Sequence, residues 1–269
     1  MLEDVTLTVG QYELVLNLFS MTIAAFLGGF IYLLGMRSQV ARRFQPALLV
    51  SAVVLAIAGY HYWRIYGSFQ GAFAVSGDVA EPTGDSFNNA YRYVDWFLTV
   101  PLLVIETIAV LALAKAEKRS LLIKLVPAAA LMIALGYPGE IAETTGPRLV
   151  WGTLSTIPFL YMLYVLWTEM GSALSRQSDA VRVKFRNLRL LLLGTWGVYP
   201  IAYLLPVFAS EASASLLVGR EVGYALADIL AKALFGVLIA QIALVKTAEL
   251  IEAGEVDLTD GESVRVTAP

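Results

Sequence analysis

The chain has 269 residues, of which 58% are hydrophobic and only 15% charged, with a formal net charge of −3. A soluble domain of this size is nearer half apolar and a quarter charged, and here the apolar residues gather in long runs, so the composition points to an integral membrane protein. The absence of cysteine excludes disulfides and thiolate chemistry, a single histidine leaves little for a metal site, and no nucleic-acid partner is expected.

Seven apolar segments follow in chain order, over about 10–36, 46–67, 91–114, 120–138, 149–172, 185–207 and 219–247. Each is long enough, or nearly so, for a helix to cross the ~30 Å hydrocarbon core of a lipid bilayer. None shows the ten-residue alternation of a membrane barrel. The expected fold is therefore an all-α bundle of seven transmembrane helices. The leading stretch MLEDVTLTVGQYE is acidic and lacks the basic region of a signal peptide, so no cleaved leader is expected.

Alternate connections differ in charge. The first–second, third–fourth and fifth–sixth carry RSQVARR, KAEKRS and RQSDAVRVKFR, while the others carry SGDVAEPTGDSFNN, GEIAETTGPR and SEASAS. Basic loops mark the cytoplasmic side, which puts the N-terminus outside and the C-terminus in the cytoplasm. The long second–third connection, roughly 68–90, contains Gly and Pro and is expected to form a small hairpin or flap. Residues 1–250 read as one membrane domain and 251–269 as a polar cytoplasmic tail, with no second domain and no internal repeat.

Charges inside the spans carry the chemistry. Within YALADILAKALFG, Lys232 falls near the midpoint of the seventh segment, where inserting a lysine costs ~2.5–3.5 kcal/mol. A lysine at that depth must be paired, covalently altered or facing a cavity. Asp228 lies four residues earlier on the same helix face. Two readings stand at this point: a buried ion pair that locks helices together, or a reactive amine, because desolvated lysines form Schiff bases.

The third segment, YRYVDWFLTVPLLVIETIAVLALAK, carries Arg92 near its outer end, then Asp95, Thr99 and Glu106 at increasing depth. Asp95 and Glu106 are almost three full turns apart, so they share a face at a separation of about 16 Å. Carboxyls in apolar surroundings can hold a proton at neutral pH. Two of them on one face, on either side of a central lysine, read as a proton relay across the membrane.

The stretches RYVDWFLTVP, TWGVYPIAY and LADILAK resemble the microbial (type 1) rhodopsins, seven-helix proteins that carry retinal as a protonated Schiff base on a lysine of the seventh helix. The resemblance runs over nearly the whole chain. Through IAGYHYWRI, LGYPGE and LVWGTLSTIPF it is most similar to the xanthorhodopsin-like proton pumps.

The resemblance implies all-trans retinal bound covalently at Lys232, Asp95 as primary counterion and proton acceptor, and Asp228 as second counterion. Arg92 then controls release to the outside, and Glu106 is the cytoplasmic proton donor. Asp95, Thr99 and Glu106 match the pattern of outward proton pumps. The sodium pumps of the family carry Asn-Asp-Gln there, and the chloride pumps a neutral first residue. Trp96, Trp196, Tyr199 and Tyr203 match the aromatic wall of the retinal pocket, with Pro200 at the bend of the sixth helix. Leu103 matches the position where leucine accompanies green absorption.

His61 taken alone is more often a packing residue; the resemblance implies a hydrogen bond to the counterion, in which a coupled His–Asp pair shares a proton. Gly152 taken alone is a helix-packing residue; the resemblance implies a side opening where a carotenoid antenna docks. Glu140 is a candidate helper in proton release, and Glu143 reads as a solvated loop acid. The implied protein is a light-driven outward proton pump rather than an enzyme, in a prokaryotic inner membrane, assembled as a pentamer or trimer. A sensory photoreceptor acting through a partner is the alternative, and the intact Glu106 speaks against it. A retinal-free membrane protein would make Lys232 and Asp228 a structural pair only.

Overall fold

The structure, a computed structural model, describes residues 5–208 and 213–256. Most of the tail expected over 251–269, and part of the sixth–seventh connection, lie outside the described residues.

Among the described residues, seven spans are long and apolar enough to cross a membrane. They are α1 (Val9–Met36), α2 (Gln45–Ala72), α3 (Ala90–Leu111), α4 (Lys115–Glu140), α5 (Thr145–Leu174), α6 (Asp179–Phe208) and a two-part seventh. The seventh begins as α7 (Ala214–Asp228), passes through a π-helical turn over Ile229–Leu234, and continues as α8 (Phe235–Glu252). The chain is thus an integral membrane protein with the expected bundle. Most helices overrun the apolar segments by a few residues, whereas α3 stops at Leu111, short of the expected 114.

Local chemistry sets the helix ends. At the start of α1, Thr8 Oγ1 accepts from Gln11 N (3.2 Å) and Gln11 Oε1 accepts from Thr8 N (3.0 Å), a reciprocal cap that satisfies two otherwise unpaired donors. Ser213 Oγ likewise accepts from Leu216 N (3.3 Å) at the start of α7. α3 stops at Ala112, whose φ of 50° and ψ of 48° lie in the left-handed region, where glycine is the usual residue.

The second–third connection is the expected hairpin. β2 (Phe73–Ser76) and β3 (Val79–Pro82) pair antiparallel, with Gly77 at φ 62° in the turn. β1 (Leu7–Thr8) adds to the free edge of β3. Phe69 packs below the hairpin against Tyr12, Phe73 and Phe87, with ring centroids 5.0 to 5.7 Å apart. This sheet covers one end of the bundle, the hairpin end; the opposite end carries the short connections after α1, α3 and α5.

Successive helices from α1 to α5 pack side by side, α6 packs against the seventh span, and that span closes the ring against α1. α3 is buried along most of its length, so its polar residues face protein rather than lipid. That is why the charges singled out in the sequence converge at the bundle's centre.

Candidate functional site

Lys232 sits in the π-helical turn and is only 2% exposed. Its Nζ is paired with Asp95 Oδ2 from α3 and lies 3.0 Å from Asp228 Oδ1. Removing an ammonium and two carboxylates from water is costly, and the remaining lone pairs must be hydrogen-bonded for the arrangement to hold. Asp228 meets that demand: it accepts from Tyr62 OH (2.8 Å), Tyr199 OH (2.6 Å) and Trp96 Nε1 (3.2 Å). Asp95 does not, because its Oδ1 has no partner. Of the two acids, Asp95 is therefore the one with free capacity to take a proton.

A cavity of about 270 Å³ opens beside Lys232, between α3, α4, α5, α6 and the seventh span. Its lining is chiefly aromatic and aliphatic, and includes Trp96, Leu103, Trp196, Tyr199, Pro200, Tyr203 and Gly152, all expected at such a pocket. Pro200 lacks an N–H, which removes one backbone bond at this level of α6. Leu149, Thr153, Thr156 and Pro200 line the cavity and are also exposed on the outside of the bundle, so the cavity reaches the lipid face between α5 and α6. Gly152 lies at this seam, where a Cβ would come within 2.7 Å of Tyr203 Cε1. An apolar molecule bearing one carbonyl fits this chemistry, with the amine of Lys232 to bind it.

Toward the hairpin end a chain of buried charge follows. Arg92 Nη1 donates to Tyr62 Oη (3.1 Å), and Arg92 Nη2 pairs with Glu221. Glu221 also accepts from Arg220 Nε (3.0 Å). Arg220 and Arg148 each lie 3.7 Å from a carboxyl oxygen of Glu140, and Arg148 is held by the backbone carbonyl of Glu140 at 2.8 Å. Three arginines and two glutamates leave this cluster one positive charge in excess. Lys232 with its two aspartates has one negative charge in excess, so the two sets balance. Glu143 is exposed, as expected of a loop acid.

In the other direction Glu106 stands alone. It is 0% exposed, and neither carboxyl oxygen has a hydrogen-bond partner. The Ser51 hydroxyl is beside it but short of bonding geometry. An ionised carboxylate in such a setting would be strongly disfavoured, so the site suits a carboxyl that stores a proton. Thr99 lies between the two acids, and its hydroxyl donates to the Asp95 backbone carbonyl (2.8 Å) rather than to a carboxylate.

His61 is buried on α2, but the expected hydrogen bond to Asp95 is absent. Its Nδ1 donates instead to Ile57 O one turn earlier (3.0 Å), and the free Asp95 oxygen stays unpartnered. With Nδ1 protonated, the neutral ring offers only an acceptor at Nε2. A bond to Asp95 therefore needs a proton on the acid or a second one on the ring.

Residues 14–246 match the model of the bacteriorhodopsin-like protein family. The chain belongs to this family. Within it, a green-light absorbing proteorhodopsin from a gamma-proteobacterium is 32% identical over 228 residues, covering 84% of this chain and 85% of that protein. The crystal structure of a thermophilic rhodopsin superposes with a TM-score of 0.89 at 47% identity, over 91% of this chain and 98% of that one. Xanthorhodopsin, described as a light-driven ion pump with a dual chromophore, superposes at 0.87 with 49% identity, over 91% of this chain and 97% of its own. The seven spans together with bacterial relatives make this an integral protein of a prokaryotic membrane.

Sequence reasoning missed Tyr62, Glu221, Arg220 and Arg148. Tyr62 immediately follows His61, and a tyrosine deep in a span needs a partner for its hydroxyl. The three charged residues lie near the hairpin ends of α5 and α7, where charge is common, and only the packed bundle shows Arg220 and Glu221 to be buried and Arg148 half-buried.

Proposed function

We propose that this protein is a light-driven outward proton pump, a transporter rather than an enzyme, with all-trans retinal bound to Lys232 as a protonated Schiff base. The observation that carries the reading is Lys232: an amine at one wall of an apolar cavity, held between Asp95 and Asp228. When bound, retinal would supply the light-driven isomerisation, and the mobile proton would sit on the Lys232 nitrogen. The protein's residues do the rest. Asp228, saturated by three donors, stays charged and fixes the local field. Asp95, with a free oxygen, takes up the proton toward the hairpin end. Arg92, joined to Asp228 through Tyr62, carries the effect of that transfer to Glu221 and Glu140. Glu106 holds the replacement proton on the opposite side.

Direction follows from the basic connections, which assign the hairpin end to the outside and the C-terminus to the cytoplasm. The polar tail from 251 then lies in the cytoplasm, and assembly as a pentamer or trimer is part of this reading. The cavity's reach to the lipid face near Gly152 supports a carotenoid antenna docked against it, and Leu103 at the cavity wall supports green absorption.

The test is external pH in an unbuffered suspension of bacteria expressing the chain with all-trans retinal, under green light, beside a Lys232→Ala control. Acidification that a protonophore abolishes and the control lacks supports the pump. A coloured protein without a pH change points to a sensor. No colour refutes the retinal assignment.

A further inference from the structure

One buried cation has no part in the mechanism above. Lys246, on α8, is 7% exposed and makes no ion pair among the described residues. Its Nζ donates to Leu111 O (2.9 Å), the last residue of α3, and to Gln177 Oε1 in the α5–α6 connection. The same nitrogen lies 5.6 Å from the Phe44 ring centroid, beside the start of α2. The next residue, Thr247, accepts from Ala41 N in the α1–α2 connection (2.9 Å). Two consecutive side chains of α8 thus tie together three other parts of the bundle at the end opposite the hairpin.

We infer that Lys246 is a latch that closes this end of the protein over Glu106, and that it must let go for Glu106 to regain its proton. This inference rests on the pump reading. Glu106 lies five residues up α3 from Leu111, about 7.5 Å along the axis. Its carboxyl is sealed from solvent and meets no polar chain that could deliver a proton. The tail end of the bundle is the short way in. Across that way stands an ammonium, which repels protons and holds two chain segments together. An apolar residue here would avoid the cost of burying a charge that makes no ion pair among the described residues and has only Glu249 as a nearby carboxylate. A lysine instead gives a closure that rests on two hydrogen bonds and can be undone by small movement. The segment it grips is already strained, since Ala112 beside Leu111 is left-handed at φ 50°.

The experiment uses Lys246→Met, which keeps the apolar stem and drops the charge, and Gln177→Leu, which removes one arm and leaves the charge. Proton release and uptake after a green flash are followed with a pH dye on the retinal-loaded protein, beside the absorption spectrum. Charge-assisted bonds of this kind correspond to roughly tenfold in rate. The expected result is proton uptake about tenfold faster in Lys246→Met and several-fold faster in Gln177→Leu, with the spectrum and the release phase unchanged in both. Uptake that is unchanged or slower in Gln177→Leu overturns the latch, and so does the same result in Lys246→Met. Equal acceleration of release and uptake also overturns it, because that is general loosening. If Lys246→Met yields no pigment, Gln177→Leu decides alone. No light-driven uptake in the unaltered protein refutes the pump reading and the latch with it, whereas unchanged uptake in the variants beside a working parent refutes the latch only.

Discussion

The Tyr203 ring, a wall of the central cavity, is gripped by two glycines, and replacing one of them gives a sharp test of the site's construction. A Cβ added at Gly139 would overlap the Tyr203 hydroxyl oxygen, and it would lie 2.9 Å from Trp151 Cβ. In Gly139→Ala the tyrosine must move, and it then loses the bond its hydroxyl donates to Arg148 O (2.7 Å). Overpacking of this kind costs about 1–3 kcal/mol and the lost hydrogen bond about 0.5–1.5 kcal/mol. Tyr203→Phe removes the overlapping atom, and the ring carbon behind it would be 3.0 Å from the new methyl, which is tight but tolerable. In that background Gly139→Ala should cost only about 1 kcal/mol. The coupling between the two changes is therefore about 2 kcal/mol, equivalent to a factor of roughly thirty in rate. The assay is the half-life of the visible colour at a fixed elevated temperature in four proteins: parent, each single variant and the double. If Gly139→Ala shortens the half-life by the same factor in both backgrounds, the steric argument is wrong.

Asp95→Asn removes one of the two carboxylates at Lys232; a red-shifted pigment that no longer acidifies the medium is expected, and a pumping variant would sink the acceptor assignment. Glu106→Gln should slow proton uptake about a hundredfold, the scale of a lost general acid, while leaving release intact; unchanged flash kinetics would remove Glu106 as donor. Ala112→Gly relieves a left-handed alanine at φ 50°, less the backbone freedom glycine adds to the unfolded chain, and should stabilise by about 0.5–1 kcal/mol. That gain reads as a few-fold longer colour half-life, and an equal or shorter one counts against the strain.

The charged centre was legible in the sequence because a bilayer makes every charge conspicuous. Lys232, Asp228, Asp95 and Glu106 interrupt long apolar runs, and helical spacing alone gave their faces and relative depths. The hairpin was legible as a long Gly- and Pro-containing connection. What depends on packing between helices was not. Tyr62 reads like any aromatic residue until α2, α3 and α7 are brought together around it. The His61 partner was misjudged because depth and face fix where a ring lies, whereas its rotamer decides which group the nitrogen meets. The role of Lys246 was hidden because it sits at the end of a span, where a lysine usually reaches water.

The π-helical turn was equally invisible, since ILAKAL contains neither Pro nor Gly. There the Phe235 N–H reaches Leu230 O, five residues back, so the turn holds one more residue than an ordinary helical turn. That surplus residue is a phase shift. Each residue of a helix advances the side chains by about 100°, so α8 presents a face that an unbroken helix would turn elsewhere. A deletion of Ala233 or Leu234, just beyond Lys232, could be absorbed by a regular helix with every backbone bond intact. It would nonetheless turn Lys246 and Thr247 away from their partners while leaving Asp228 at its three donors. For the seventh helix, a change in length and a change in alignment are the same event, and homologous chains that differ there by one residue would share the chromophore end of the protein but not its opposite end.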